Sequence, residues 1–191
     1  MAAFWTQGQL QDPKRQYRFV AIFDGLGESG CSWFVKNVDK PNVSISEASH
    51  EYLNHTFYYP GRVSWNTISV TFVDPVDPDA TATMMKAIEV AGYKIPTDPT
   101  SLGTLSKSKS IESLGTVTIK QVDSEGLAIE EWKLNNAWIK SVNLSGLDYS
   151  GDSLSEATIE IRYDWASLIS HGATGNAPSG ASLIKDAGIW K

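Results

Sequence analysis

The 191-residue sequence holds one cysteine, Cys31, three histidines and three methionines. A lone thiol excludes a disulfide framework and any metal site built on cysteines. Apolar runs are short, and none approaches the roughly 18 residues of a membrane-crossing helix. The N-terminal MAAFWTQGQLQDPKR lacks a charged start followed by an apolar core, so no secretory leader is expected. Positive charge is also scarce, with 16 Lys and Arg against 22 Asp and Glu, a net charge of −6. That balance argues against a surface built to grip nucleic acid. The expectation is a single soluble domain in a reducing compartment, since one domain usually takes about 100–200 residues.

Patterns that carry chemistry are missing too. Gly25-Leu26-Gly27-Glu28-Ser29-Gly30 has the GxGxxG spacing and follows a strand-like run. A dinucleotide site needs a helix next, to hold the pyrophosphate at its N-terminus. Here Cys31-Ser32-Trp33-Phe34-Val35 follows, which is strand-like, so the glycines predict a hairpin turn. His50 and His55 lie near Glu47 and Glu51, but no converging ligand set accompanies them. Asp74, Asp77 and Asp79 lack the glycine and distal glutamate of a calcium loop, and Pro75 and Pro78 make this run a strand-to-helix elbow. Glu130 and Glu131 are adjacent on a strand and point to opposite faces, so they cannot flank one glycosidic bond. No GxSxG elbow is present. Neither an active site, a cofactor nor a metal is expected. Three Asn-x-Ser/Thr triplets, at Asn42, Asn54 and Asn143, are read as chance.

Strand signals dominate what is there. Tyr17–Phe23 and Ser32–Asn37 are rich in aromatic and branched residues and read as a hairpin. Val63–Val73 reads as one long strand with Ile68, Val70 and Phe72 on one face. Thr116–Val122 and Leu127–Leu134 flank the turn Asp123-Ser124-Glu125-Gly126. Ala137–Leu144 follows, and Leu154–Trp165 alternates, with Ala157, Ile159, Ile161, Tyr163 and Trp165 on one side. One helix is predicted over 77–91, with Asp77 as N-cap, Pro78 at the first position, an apolar stripe of Ala80, Met84, Ala87, Ile88 and Ala91, and Gly92 as its stop. Val38–Gly61 reads as a long polar loop with the aromatic run Phe57-Tyr58-Tyr59-Pro60. Residues 97–113 read as a flexible Ser/Thr/Lys loop. One domain is expected over 1–169, followed by a small-residue extension over 170–191. Acidity concentrates in residues 116–165, which carry 9 acids and 4 bases.

Residues 50–80, HEYLNHTFYYPGRVSWNTISVTFVDPVDPDA, resemble the tail tube protein of contractile-tailed phages, closest to cyanophage-like myoviruses. Residues 130–166 are similar to the same family through a Glu-x-Trp strand, an Asn-Ala-Trp-Ile strand, a Gly-x-Leu-Asp-Tyr turn and a strand ending Tyr-Asp-Trp. The resemblance implies a mainly β fold, a small antiparallel β-barrel or sandwich with one short helix packed on it. Six copies would close into a ring, and rings would stack into the inner tube of a contractile tail. The implied partners are further copies of the chain, the tail sheath protein, and baseplate and tail terminator proteins. Genomic DNA would pass through the lumen without specific binding. The place would be the virion, after assembly in the host cytoplasm. Baseplate tube-initiator proteins and secreted injection-system rings are cousins of the family. A carbohydrate-binding β-sandwich and a small β-sheet hydrolase using Glu or Asp are the other classes open to such a sequence. A DNA channel should repel a polyanion, so Glu130, Glu131, Glu156 and Glu160 are expected to face the lumen. The 38–61 loop is expected to bridge rings, with contacts from Tyr52, Leu53, His55, Phe57, Tyr58, Tyr59 and Arg62.

Overall fold

The computed structural model describes residues 13–26, 34–94, 96 and 103–171. Alternating branched and polar residues make most of these strands. They are β1 (Phe19–Phe23), β2 (Val35–Val38), β3 (Val43–Tyr52), β4 (His55–Trp65), β5 (Ile68–Val73), β6 (Val117–Val122), β7 (Ala128–Asn135), β8 (Trp138–Leu144), β9 (Glu156–Arg162) and β10 (Trp165–Ser170). The helices are α1 (Ala80–Val90) and α2 (Lys107–Leu114). Two four-stranded sheets form, in the orders β1-β6-β7-β10 and β2-β5-β9-β8, and β3 pairs only with β4. All the pairings are antiparallel.

The two larger sheets form a sandwich that does not close into a barrel. Period-two alternation puts Ile68, Val70 and Phe72 of β5 inward, opposite Ile161, Ile159 and Ala157 of β9. Ala21, Phe23, Val117, Ile119 and Leu134 line the facing sheet. The sheets meet where Phe23 and Phe72 pack with ring centroids 5.5 Å apart. Each fully buried large apolar side chain contributes about 1.5–3 kcal/mol through lost water contact.

Helix α1 starts later than the sequence suggests. Asp79, not Asp77, is the N-cap, and its carboxylate accepts the Ala82 N–H at 2.8 Å. Asp74 satisfies two further orphan donors, Ala80 N–H at 3.0 Å and Thr81 N–H at 3.2 Å. Pro78 therefore lies outside the helix. Ala80, Met84 and Ala87 bury the predicted stripe, and Gly92, at φ +114°, follows its end.

The expected loop over 97–113 is in part helical, so the described residues hold two α-helices rather than one. Residues 97–102 fall outside the described residues, and α2 occupies 107–114. Ser106 caps it by accepting the Lys109 N–H, and Gly115 ends it at φ +67°. A Cβ on Gly25 would lie 2.5 Å from the Leu114 carbonyl carbon, and one on Gly115 the same distance from the Gly25 nitrogen. Gly25 thus permits close backbone packing on the end of α2, while Gly27 and Gly30 lie outside the described residues. β1 and β2 are not a hairpin either, since β1 pairs with β6 and β2 with β5. The run 63–73 breaks at Asn66–Thr67 into β4 and β5. Leu154–Trp165 breaks at Tyr163–Asp164, where the chain crosses to the other sheet. The 170–191 extension lies outside the described residues beyond His171.

Glu130 ties distant parts of this frame together. Its buried carboxylate accepts from Lys14 and, at 2.9 Å, from Lys40, with Trp132 Nε1 as a third donor. Lys14 belongs to the segment before β1, and Lys40 to the link between β2 and β3. Burial pushes the Glu130 pKa up, but the lysine and indole hydrogen bonds outweigh it and lower it to about 2. The depressed value means this stabilisation is complete above the usual carboxylate range and is lost as pH falls from about 4.5 towards 2. Glu130→Gln should therefore destabilise the protein at pH 7 by about 2 kcal/mol in denaturant melts. The difference from wild type should shrink as pH falls below about 4.5, and a pH-independent difference would show that the charge is not responsible.

Candidate functional site

Strands β3 and β4 form an arm that stands away from the sandwich. They pair from Val43↔Trp65 to Tyr52↔His55 around a turn at Leu53–Asn54. Every residue from 42 to 64 is exposed, and Trp65 is half-buried at the root. The expected 38–61 loop is therefore a regular hairpin. Hydrogen bonds at its root, Asn66 N–H to the Asn42 carbonyl at 3.0 Å and Asp39 N–H to the Ser69 carbonyl at 3.0 Å, link it to the ends of β2 and β5. With strands of 10 and 11 residues, the arm spans roughly 33 Å at about 3.3 Å per residue. An isolated two-stranded hairpin is marginal in water, so the arm calls for a neighbour.

A bulge sorts its side chains. One residue, Ser46, lies between the pairs Ile45↔Val63 and Glu47↔Pro60, while two, Gly61 and Arg62, lie opposite it. The Arg62 N–H donates to Ser46 Oγ at 2.8 Å. Beyond the bulge, Ala48↔Tyr59, His50↔Phe57 and Tyr52↔His55 share one face. Glu47↔Pro60, Ser49↔Tyr58 and Glu51↔Thr56 share the other. Of the predicted contact residues, Tyr52, His55, Phe57 and Tyr59 thus form one aromatic face. Tyr58 lies on the opposite face, Leu53 is in the turn and Arg62 is in the bulge.

The second open feature is the sheet β2-β5-β9-β8. Among the described residues its two border strands, β2 and β8, have no partner on their outer sides. Unpaired backbone donors and acceptors on such edges recruit further strands. The outer face of the sheet is polar, and Thr71 and Thr158 hydroxyls meet across it at 3.1 Å. Here Glu156 pairs with Lys36, and Glu160 pairs with Lys140 at 2.9 Å. The hydrogen bond from Lys140 holds the Glu160 carboxyl below its usual range. On the other sheet Glu131 lies 3.5 Å from Lys120.

The four acids expected together do not share one surface. Glu156 and Glu160 do, whereas Glu130 is buried in the lysine clasp and Glu131 lies on the opposite side of β7 from it. Burial removes Glu130 from any exposed wall. Lys14, Lys36, Lys40 and Lys140 are the partners that sequence reasoning did not single out.

Beside β8 is an open cleft of about 630 Å³, with Ala87 and Ile88 of α1 and its C-cap Ala91 on one side and Trp138 and Ile139 on the other. At its rim Lys107 donates to Asp164 at 2.7 Å. Lys107 and Asn136 together hold the Asp164 carboxyl below its ordinary range. Among the described residues, no group of three or more His, Cys, Asp or Glu could hold a metal, and no helix is long and apolar enough to cross a membrane.

No protein-family model and no curated protein matches the sequence. Solved structures do resemble the fold. A chain in the cryo-EM structure of the anti-feeding prophage tube terminating cap aligns with TM-score 0.64 and 16% identity, covering 90% of this chain and 100% of that one. A chain in the anti-feeding prophage baseplate aligns with TM-score 0.61 and 12% identity, covering 87% and 100%. A chain in the extended PVC sheath–tube complex, an extracellular contractile injection system, aligns with TM-score 0.61 and 15% identity, covering 85% and 95%. The overall fold is shared with chains of contractile injection systems.

Proposed function

We propose that this chain is a structural subunit of the inner tube of a contractile phage tail, and that it performs no catalysis. The observation that carries the proposal is the combination of two unfinished sheet borders with a fully exposed arm, on a fold shared with cap, baseplate and sheath–tube assemblies. Copies join β2 to β8 around a ring of six, which removes the two open edges of that sheet. The arm then links one ring to the next, and sheath, baseplate and terminator proteins bind the assembled tube. Genomic DNA passes through the lumen during ejection.

The polar face of β2-β5-β9-β8 suits a water-lined wall. Its ion pairs change the electrostatic part of the reading. Glu156 and Glu160 facing the lumen bring Lys36 and Lys140 with them, so the wall is close to charge-balanced rather than acidic. A compensated surface offers DNA few free cations to displace counterions, and it avoids adhesion without strong repulsion.

A second reading, a terminal or initiator ring, is favoured by the likeness to chains from a tube cap and from a baseplate. Electron micrographs of purified protein separate the two. A repeating subunit should give rods of variable length, an initiator should stop at single rings, and a dispersed monomer at high concentration would refute both. Replacing Ala48–Tyr59 with Asn-Gly keeps the bulge and root of the arm. That variant should sediment as rings that no longer form rods, and rods of normal length would show that the arm does not join rings.

A further inference from the structure

The arm leaves the sandwich at the end of the sheet where β2 stops and β5 begins. At the opposite end of the same sheet are the connection from β5 to α1, residues 74–79, and the connection from β8 to β9, residues 145–155. The two connections meet, the Asp74 N–H donating to the Ser155 carbonyl at 2.9 Å. They present large apolar side chains almost wholly to water: Val76 is 99% exposed, Leu147 94% and Tyr149 112%. Leu154, beside them, is 72% exposed. None of these packs on the sandwich core, and at the far end the arm does so only at its root, through Trp65.

We infer that these two ends are the halves of one head-to-tail contact, in which the arm's His50/Tyr52/His55/Phe57/Tyr59 face docks on the 74–79 and 145–155 loops of a second copy in the next ring. This rests on the stacked-ring reading above and names the surface that receives the arm. Charge selects the face. The receiving loops carry Asp77, Asp148 and Asp152, which are exposed and make no ion pair among the described residues. The arm's other face carries Glu47 and Glu51 and would meet them with like charge, whereas the aromatic face has no carboxylate. Because donor and receiver are different patches at opposite ends, the contact does not close on itself and propagates along an axis.

Site-directed cross-linking tests the contact. In a Cys31→Ser background, Tyr52→Cys and Leu147→Cys are made as separate proteins, mixed, assembled and treated with a short bis-maleimide. The expected product is a mixed dimer in the sedimented rods, with none from either variant alone and none in the ring-sized fraction. A dimer of Tyr52→Cys alone would mean arm-to-arm contact, and a mixed dimer in isolated rings would mean contact within one ring; either overturns the inference. Rods that cross-link neither through this pair nor through Leu53→Cys with Tyr149→Cys overturn it while leaving the tube reading intact. Absence of rods from wild-type protein overturns both. Both cysteines replace exposed residues, so folding is checked by an unchanged thermal melt. Independently, the double variant Leu147→Ser/Tyr149→Ser should raise the concentration needed for rods at least tenfold, and an unchanged threshold counts against the contact.

Discussion

The antiparallel register of β5 on β9 is the constraint on which the rest of the molecule depends. Ile68↔Ile161 and Val70↔Ile159 place the branched side chains of both strands inward together. A slip of β5 by one residue would turn Ile68, Val70 and Phe72 outward and bring Ser69 and Thr71 into the apolar interior. Upstream, the same strand continues through Asn66–Thr67 into the arm. Downstream, Asp74 anchors the first turn of α1. One strand pairing therefore aims the arm, seats the helix and decides which residues form the polar outer face.

Charge is organised in three dimensions in a way that a count along the chain hides. Residues 116–165 hold most of the excess acid, yet Glu130, Glu131, Glu156, Glu160 and Asp164 each face a lysine. Lys14, Lys36, Lys40 and Lys107 come from the first 115 residues, so folding brings the two halves of the charge distribution together. Most of these pairs are partly exposed and individually contribute little to stability. Glu130 differs because it is buried and has several donors, and its two lysines come from segments that no strand pairing connects to β7.

Where one side of a strand faces the core, the sequence was readable. The period-two patterns of β5 and β9, the β6–β7 hairpin around Asp123–Gly126, and the stripe on α1 all follow from burying one face. The arm escaped because neither of its faces is buried, so no apolar alternation marks it, and its bulge shifts the phase part-way along β4. Helix α2 was obscured by its serines and lysines, although Ser106 and Gly115 bracket it as caps. The exposed Val76, Leu147 and Tyr149 were hidden for the opposite reason. Apolar residues in a sequence suggest burial, and only coordinates reveal that a loop holds them in water. The resemblance over 50–80 and 130–166 pointed to the right kind of fold, but it carried no information on which acids share a surface.

The bulge at Gly61–Arg62 has a consequence for how such a chain can diverge. A Cβ at Gly61 would lie 2.4 Å from Ser46 Oγ, so this glycine is held in place by the opposing strand. Loss of a single codon here would remove the extra residue and restore simple alternation along β4. Because β3 alternates without interruption, Phe57 and Tyr59 would keep His50 and Ala48 as partners and stay on the same face. One in-frame deletion thus straightens the arm and reduces its twist without rewriting its aromatic face, giving a lineage a one-step route to re-aiming the arm.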